Sequence, residues 1–217
     1  MDKRKTRKNR KSTIHLGENK GETSGETLSE TLSETSGKTS AFTPDDYNSD
    51  DGFLTTVWGP MLWNYLHIMA SNYPVKPTQK QKKHYRDFIV NLKNVLPCGK
   101  CRDNLKKYFE TTPLTLSHMK NRDGFSRYIY DLHESVNKML GKKSALSYEE
   151  VRQRYENFRA RCFIDRDTRK MSKKTHIGCV EPLYGKKSKC VIRIVPDSEK
   201  CESLQIDEKC IKTREPL

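Results

Sequence analysis

The residues best equipped for chemistry are Cys98 and Cys101, set in the stretch Leu96-Pro97-Cys98-Gly99-Lys100-Cys101. Three positions apart on a helix, two sulfurs share a face about one turn apart, close enough to bridge as a disulfide. Pro97 suits the opening turn of such a helix, where a missing N–H costs nothing. The unpaired N–H groups of that turn and the positive end of the helix dipole favour a thiolate over a thiol, and Lys100 and Arg102 push the same way. The implied chemistry is thiol–disulfide exchange. A dithiol completes a two-electron circuit only with a partner dithiol or a cofactor. His67 and His133 lie on otherwise apolar faces, in company with Trp58, Trp63, Tyr128 and Tyr155. Either histidine alone reads as a satisfied core residue. Two of them, with tryptophans and a redox-type cysteine pair, point to a planar cofactor.

Helices must position these groups. From Thr55, the residues Met61, Leu62, Tyr65, Leu66 and Met69 recur at helical spacing, with Pro60 suiting the opening turn and an end near Asn72-Tyr73-Pro74. A second helix runs from a Thr78 cap to about Val95, with Tyr85, Phe88, Ile89 and Leu92 on one face and a lysine-rich opposite face. The cysteine helix extends from Cys98 to about Glu110, and Pro113 closes it. A fourth helix spans about Arg122 to Leu140, stopped by Gly141. A fifth opens at Ser147, where Ser147 and Glu150 have capping-box spacing, and continues through Tyr155 and Phe158. The sequence therefore predicts an all-α fold, a four-helix bundle plus one short helix.

Apolar residues are scarce, at 33% of 217 residues, so a core requires that they be concentrated, and they are, between about Phe53 and Phe158. Three regions follow: a disordered arm over 1–52, a helical domain over 53–162, and a cysteine-rich extension of unknown fold over 163–217. The arm opens with a basic cluster from Lys3 to Lys11 and continues as a polar repeat of Ser, Gly, Glu and Thr. It reads as a solvated tether or as a basic arm for nucleic acid, a contact that the net charge of +14 also favours. The basic start is followed by no apolar segment, so no export signal is expected, and no run approaches the ~20 apolar residues of a membrane span. An intracellular protein is expected on those grounds.

Seven cysteines are many for such a chain, and five of them, Cys162, Cys179, Cys190, Cys201 and Cys210, lie in the last quarter. For Cys179, Cys190, Cys201 and Cys210, structural disulfides, a mobile redox pair and metal ligation all remain open, and Cys162 reads as packing at the helix end. No metal site is assigned, because a spacing of about ten residues lacks the tight pairs of zinc sites. Cys190 to Val195 has the composition of a strand ending at Pro196.

The stretch Trp58-Gly59-Pro60-Met61-Leu62-Trp63-Asn64-Tyr65-Leu66-His67, followed by Tyr73-Pro74, resembles the opening signature of the flavin-linked sulfhydryl oxidases of the Erv/ALR family. In that family a Cys-x-x-Cys pair opens the third helix, where Cys98 and Cys101 stand. The segment His133-Glu134-Ser135-Val136-Asn137-Lys138-Met139-Leu140-Gly141-Lys142 is similar to a third motif, His-Asn-x-Val-Asn-x-x-Leu-Gly-Lys. The resemblance implies a dimeric helical bundle that binds FAD, oxidises thiols of a protein substrate or relay protein to disulfides, and passes electrons to dioxygen, giving hydrogen peroxide. By position it assigns cofactor contacts to Gly59, Trp63, His67, His133, Val136, Asn137, Lys142 and Tyr155. Cys101 would lie beside the flavin, and Cys98 would meet the substrate.

The sequence departs from the family pattern in places. Glu134 replaces an asparagine, Tyr155 a tryptophan, and Tyr128 and Tyr130 stand where a tryptophan and a cysteine are usual. The second cysteine of the family's structural disulfide would fall shortly after Lys142, and no cysteine occurs from Arg102 to Arg161, so both halves are missing together. These departures look most like members encoded by large DNA viruses, which would place the protein in host cytoplasm or virion. Three rival readings are a zinc-stabilised nucleic-acid-binding module, a thioredoxin-like exchanger, and a non-catalytic assembly protein keeping the bundle. The first leaves the histidines and tryptophans unexplained, and the second needs strands around the cysteine pair.

Overall fold

A computed structural model of the chain describes residues 41–161, 179–202 and 204–212. Five helices carry the fold: α2 (Thr55–Ser71), α3 (Gln79–Val95), α4 (Gly99–Thr111), α5 (Arg122–Met139) and α6 (Tyr148–Glu156). A four-residue helix, α1 (Pro44–Tyr47), precedes them. It falls within the stretch expected to be an unstructured arm. Its reason is local: Thr43 and Asp46 form a complete capping box, with Pro44 in the first turn. Among the described residues, those from 41 to 49 form one unit and those from Asp50 onward another. The basic cluster and the polar repeat before residue 41 lie outside the described residues.

Local signals in the sequence set most boundaries. Thr78 and Ser147 each accept a hydrogen bond from the backbone N–H three residues on, and the side chains of Gln81 and Glu150 answer the cap backbone. Asn121 caps α5 through the N–H of Gly124. At the other end, Gly141 takes φ +67°, the left-handed geometry that closes a helix. Two prolines differ from expectation. Pro60 sits inside α2, which begins five residues earlier at Thr55. Pro97 lies outside α4 altogether, one position before the cap Cys98. In both places the backbone accepts the fixed φ of proline, but neither residue occupies an opening turn.

Packing divides the helices into two groups, α2 with α5 and α6, and α3 with α4. The groups meet at an aromatic joint. Tyr73, fully buried after α2, lies edge-on to Tyr85 of α3 at 4.8 Å and against Phe125 of α5 at 4.7 Å. Its hydroxyl donates to the carbonyl of Met119 at 3.0 Å, so the polar atom of this buried side chain is satisfied. Leu66, Ala70, Ile89, Leu114 and Ile129 complete a core with almost no exposed surface, each large side chain contributing about 1.5–3 kcal/mol by burial.

Beyond α6 the chain relies on its backbone. A two-residue antiparallel pair joins β1 (Ala160–Arg161) to β2 (Glu181–Pro182). Leu183 N–H donates to the Arg159 carbonyl at 2.7 Å, and Lys212 N–H to Asn157 Oδ1 at 2.9 Å. Gly185, at φ +62°, lies so close to the main chain of Lys209 and Cys210 that a Cβ would stand 2.9 Å from it. Cys190 to Val195 forms no strand. Val191, Ile192 and Ile194 are largely exposed, with no strand beside them among the described residues.

Candidate active site

Cys98 caps α4. Its sulfur accepts a hydrogen bond from Cys101 N–H at 3.2 Å and is bonded to the Cys101 sulfur, with the two Cα atoms 5.2 Å apart. The arrangement places Cys98 among the orphan donors of the helix mouth, where a released thiolate is stabilised. Cys101, half-buried, packs against the core cluster, the same cluster that supports Trp63. The pair is therefore asymmetric, one sulfur at the helix entrance and one toward the interior.

Four aromatic rings from three helices form a second constellation. Trp63 of α2 stacks on His133 of α5 with ring centres 4.0 Å apart and planes 8° from parallel. His67 stacks on Tyr155 of α6 at 5.0 Å and 15°. The two stacks are joined by a 3.0 Å hydrogen bond between His67 Nε2 and His133 Nδ1, one ring donating and the other accepting. Tyr155 is fixed in turn by its hydroxyl, which donates to Asn64 Oδ1 at 2.7 Å. Polar atoms thus orient rings that apolar contact alone would leave free to slide.

Both imidazoles are neutral at physiological pH. Burial, followed by the neighbouring His133, drives His67 down to about 3, and burial drives His133 down to about 4. Two smaller influences on His133 oppose each other: the Glu134 carboxylate raises it and the Lys142 ammonium lowers it. Burial also raises the Tyr155 phenol to about 12, which keeps it a hydrogen-bond donor.

The remaining sequence candidates occupy the rim. Asn137 donates from Nδ2 to Glu134 Oε1 at 3.0 Å, so the residue that replaces an asparagine engages the motif's other asparagine. Lys142 N–H donates to the Asn137 carbonyl at 2.9 Å just past the Gly141 turn, leaving the side chain exposed. Gly59 and Val136 are half-buried on α2 and α5 and take part in none of these hydrogen bonds. The structure therefore gathers Trp63, His67, His133 and Tyr155 into direct contact, with Glu134, Asn137 and Lys142 beside them. Parallel rings, neutral imidazole nitrogens and an adjacent cation are the donor set that a planar heteroaromatic ring bearing phosphate requires.

One contributor, Asn64, was not singled out from sequence, and two residues that were named there, Tyr130 and Trp58, make contacts the sequence did not indicate. Asn64 was read only as part of a motif, and its link to Tyr155 spans 91 positions. Tyr130, where the resemblance would place a half-cystine, donates its hydroxyl to the Leu146 carbonyl at 2.8 Å and so ties α5 to the segment leading into α6. Trp58 donates its indole N–H to the Phe53 carbonyl at 2.9 Å.

In the tail, Cys179 is disulfide-bonded, Cys190 and Cys201 are exposed thiols, and Cys210 is a half-buried one. Cys162 lies outside the described residues. Among the described residues no three His, Cys, Asp or Glu side chains converge as a metal site, and no helix is long and apolar enough to cross a membrane.

The sequence profile of the Erv1/Alr family matches residues 60–156. A probable FAD-linked sulfhydryl oxidase of Acanthamoeba polyphaga mimivirus is 37% identical over 94 residues, covering 43% of this chain and 65% of that protein. The FAD-linked sulfhydryl oxidase of an African swine fever virus isolate is 35% identical over 99 residues, 46% of this chain and 80% of the viral one. Thus just under two thirds of the mimivirus protein is spanned. Among solved structures, the yeast Erv1 core aligns over 58% of this chain and 95% of its own length, with 23% identity and a TM-score of 0.42.

Proposed function

Because the chain belongs to the Erv1/Alr family, with viral relatives among its matches, we propose that it is an FAD-linked thiol oxidase that makes disulfides in protein substrates and returns the electrons to dioxygen as hydrogen peroxide. The observation that carries this reading is the pairing of an asymmetric Cys98–Cys101 disulfide with a neutral, parallel-stacked aromatic site in one small bundle. A substrate thiolate attacks Cys98 Sγ, the sulfur at the helix mouth. The Cys98–Cys101 bond breaks, and the leaving Cys101 sulfur departs as a thiolate. A second substrate thiolate then attacks the substrate sulfur of the mixed disulfide. This releases a substrate disulfide and leaves both active-site cysteines reduced. When bound, FAD supplies the two-electron acceptor for that dithiol and the route to dioxygen.

The chain's own residues bind and orient. Trp63 and His133 offer stacking surface, His67 and His133 offer uncharged ring nitrogens that a buried cofactor can share without the cost of desolvating a cation, and Lys142 offers positive charge to phosphate. Asn137, Gly59 and Val136 line the approach from α5 and α2. Cys98 holds the substrate end and Cys101 the cofactor end. Replacing either Cys98 or Cys101 by serine is expected to reduce peroxide release from dithiothreitol to background while bound FAD is retained. Undiminished release from Cys101→Ser would remove Cys101 from the pathway.

A homodimer belongs to the same reading. The stripe expected to enter the core from α2 is divided between two faces: Leu66 is buried, whereas Met61, Tyr65 and Ile68 are 41%, 54% and 46% exposed. Phe88 of α3, 40% exposed, meets Tyr65 edge-on at 6.1 Å. A contiguous apolar face of this kind, on a polar chain, is suited to a second copy. Thiol-bearing protein substrates remain the proposed partners, with nucleic acid as a further partner of the basic arm.

A further inference from the structure

We infer that Gly52 and Trp58 are positioning residues for the Cys98–Cys101 disulfide, acting through a main-chain strap, Gly52 to Leu54, that holds the turn in front of Cys98. The inference rests on the redox role given above to the pair, but not on cofactor turnover. Phe53 N–H donates to the Pro97 carbonyl at 3.0 Å, and the Phe53 carbonyl accepts the Trp58 indole N–H at 2.9 Å. The Leu54 carbonyl accepts the N–H groups of Val57 and Trp58 at 3.0 and 3.3 Å, which joins the strap to the first turn of α2. The Trp58 ring itself packs on the core cluster. From the other side, Arg102 Nη1 donates to the Leu96 carbonyl at 2.5 Å. Both carbonyls immediately before the disulfide are therefore engaged, one by α4 and one by the strap.

Gly52 makes the close approach possible. A Cβ at this position would stand 2.5 Å from the Pro97 carbonyl oxygen and 3.3 Å from Cys98 Cα, so any larger residue must push the strap and the turn apart. The consequence is thermodynamic. Bridging needs the two Cα atoms within a narrow range, and here they are 5.2 Å apart. A turn fixed at that spacing raises the effective concentration of one sulfur at the other, whereas a loosened turn lowers it and favours the dithiol. Trp58 contributes its share through one hydrogen bond, and Gly52 contributes by having no side chain.

The test equilibrates the full chain in glutathione redox buffers and quantifies thiol and disulfide in the peptide containing Cys98 and Cys101 by alkylation and mass spectrometry. In the reaction read, the two cysteine thiols give up two electrons and two protons to glutathione disulfide, which is cleaved to two glutathione thiols. Gly52→Ala is expected to shift the equilibrium toward the dithiol by roughly fivefold or more, and Trp58→Phe, which keeps an aromatic side chain and removes the N–H, by up to roughly fivefold, the weight of one net hydrogen bond. Helical circular dichroism accompanies both measurements. Should Gly52→Ala fail to fold, Trp58→Phe decides alone. Folded variants that titrate with the unaltered chain overturn the inference. A shifted equilibrium in a protein that releases no peroxide supports the strap and refutes the oxidase reading, so the two fail separately.

Discussion

At the scale of single residues, His67 and His133 impose the sharpest condition on the molecule. Both are depressed by burial, His67 to about 3 and His133 to about 4, below the usual histidine value of about 6.5. The unfolded chain therefore binds more protons than the folded one as pH falls below about 6.5, and stability declines with acidification until the folded values are reached. The stabilisation is fully present above about pH 6.5. Urea unfolding at about pH 7 and about pH 5 is expected to show a loss on the order of 2 kcal/mol for each histidine, and His133→Asn is expected to reduce that loss to a single residue's share. A stability that is flat over this interval would mean that the rings are open to water. The neutral pair also explains why a polar residue with only 6% exposure is tolerated at His67: its hydrogen bond to His133 replaces solvent.

At the scale of elements, the helices were legible because their signals are local. Thr78 with Gln81, Ser147 with Glu150, and Gly141 all act within a few residues, and each does in the structure what its position predicts. Gly141 carries a measurable cost. Alanine at φ +67° is expected to destabilise the protein by about 1 kcal/mol and, by fraying the end of α5, to weaken cofactor retention through Asn137 and Lys142. Chemical denaturation and FAD dissociation measure the two effects; an unchanged unfolding midpoint would show that the turn has other support. Illegible features depended on distant contacts. Pro60 and Pro97 keep a fixed φ without marking a helix start, because α2 begins earlier and Cys98 is the cap. The bond from Tyr155 to Asn64 and the strap against Pro97 join segments that no periodicity connects. Likewise the apolar spacing of α2 cannot tell a core face from an outward one, and both are present.

At the scale of the whole molecule, the chain brings together a short list of parts. A cysteine pair at a helix mouth is set by α4, a stacking site by α2, α5 and α6, and an aromatic joint around Tyr73 keeps the two helix groups together. The outward face of α2 predicts self-association. Tyr65→Asp is expected to convert a dimer to a monomer by light scattering, since a charge there would be buried without a partner; a monomeric starting protein would contradict the assignment of that face. The central claim, that the site formed by Trp63, His67, His133 and Tyr155 holds a flavin next to the cysteine pair, is tested most directly by the absorption spectrum of the purified protein. The account predicts a yellow protein with flavin bands at about one FAD per chain, bleached by excess dithiothreitol without air and restored by dioxygen. A colourless protein that takes up no added FAD would contradict it.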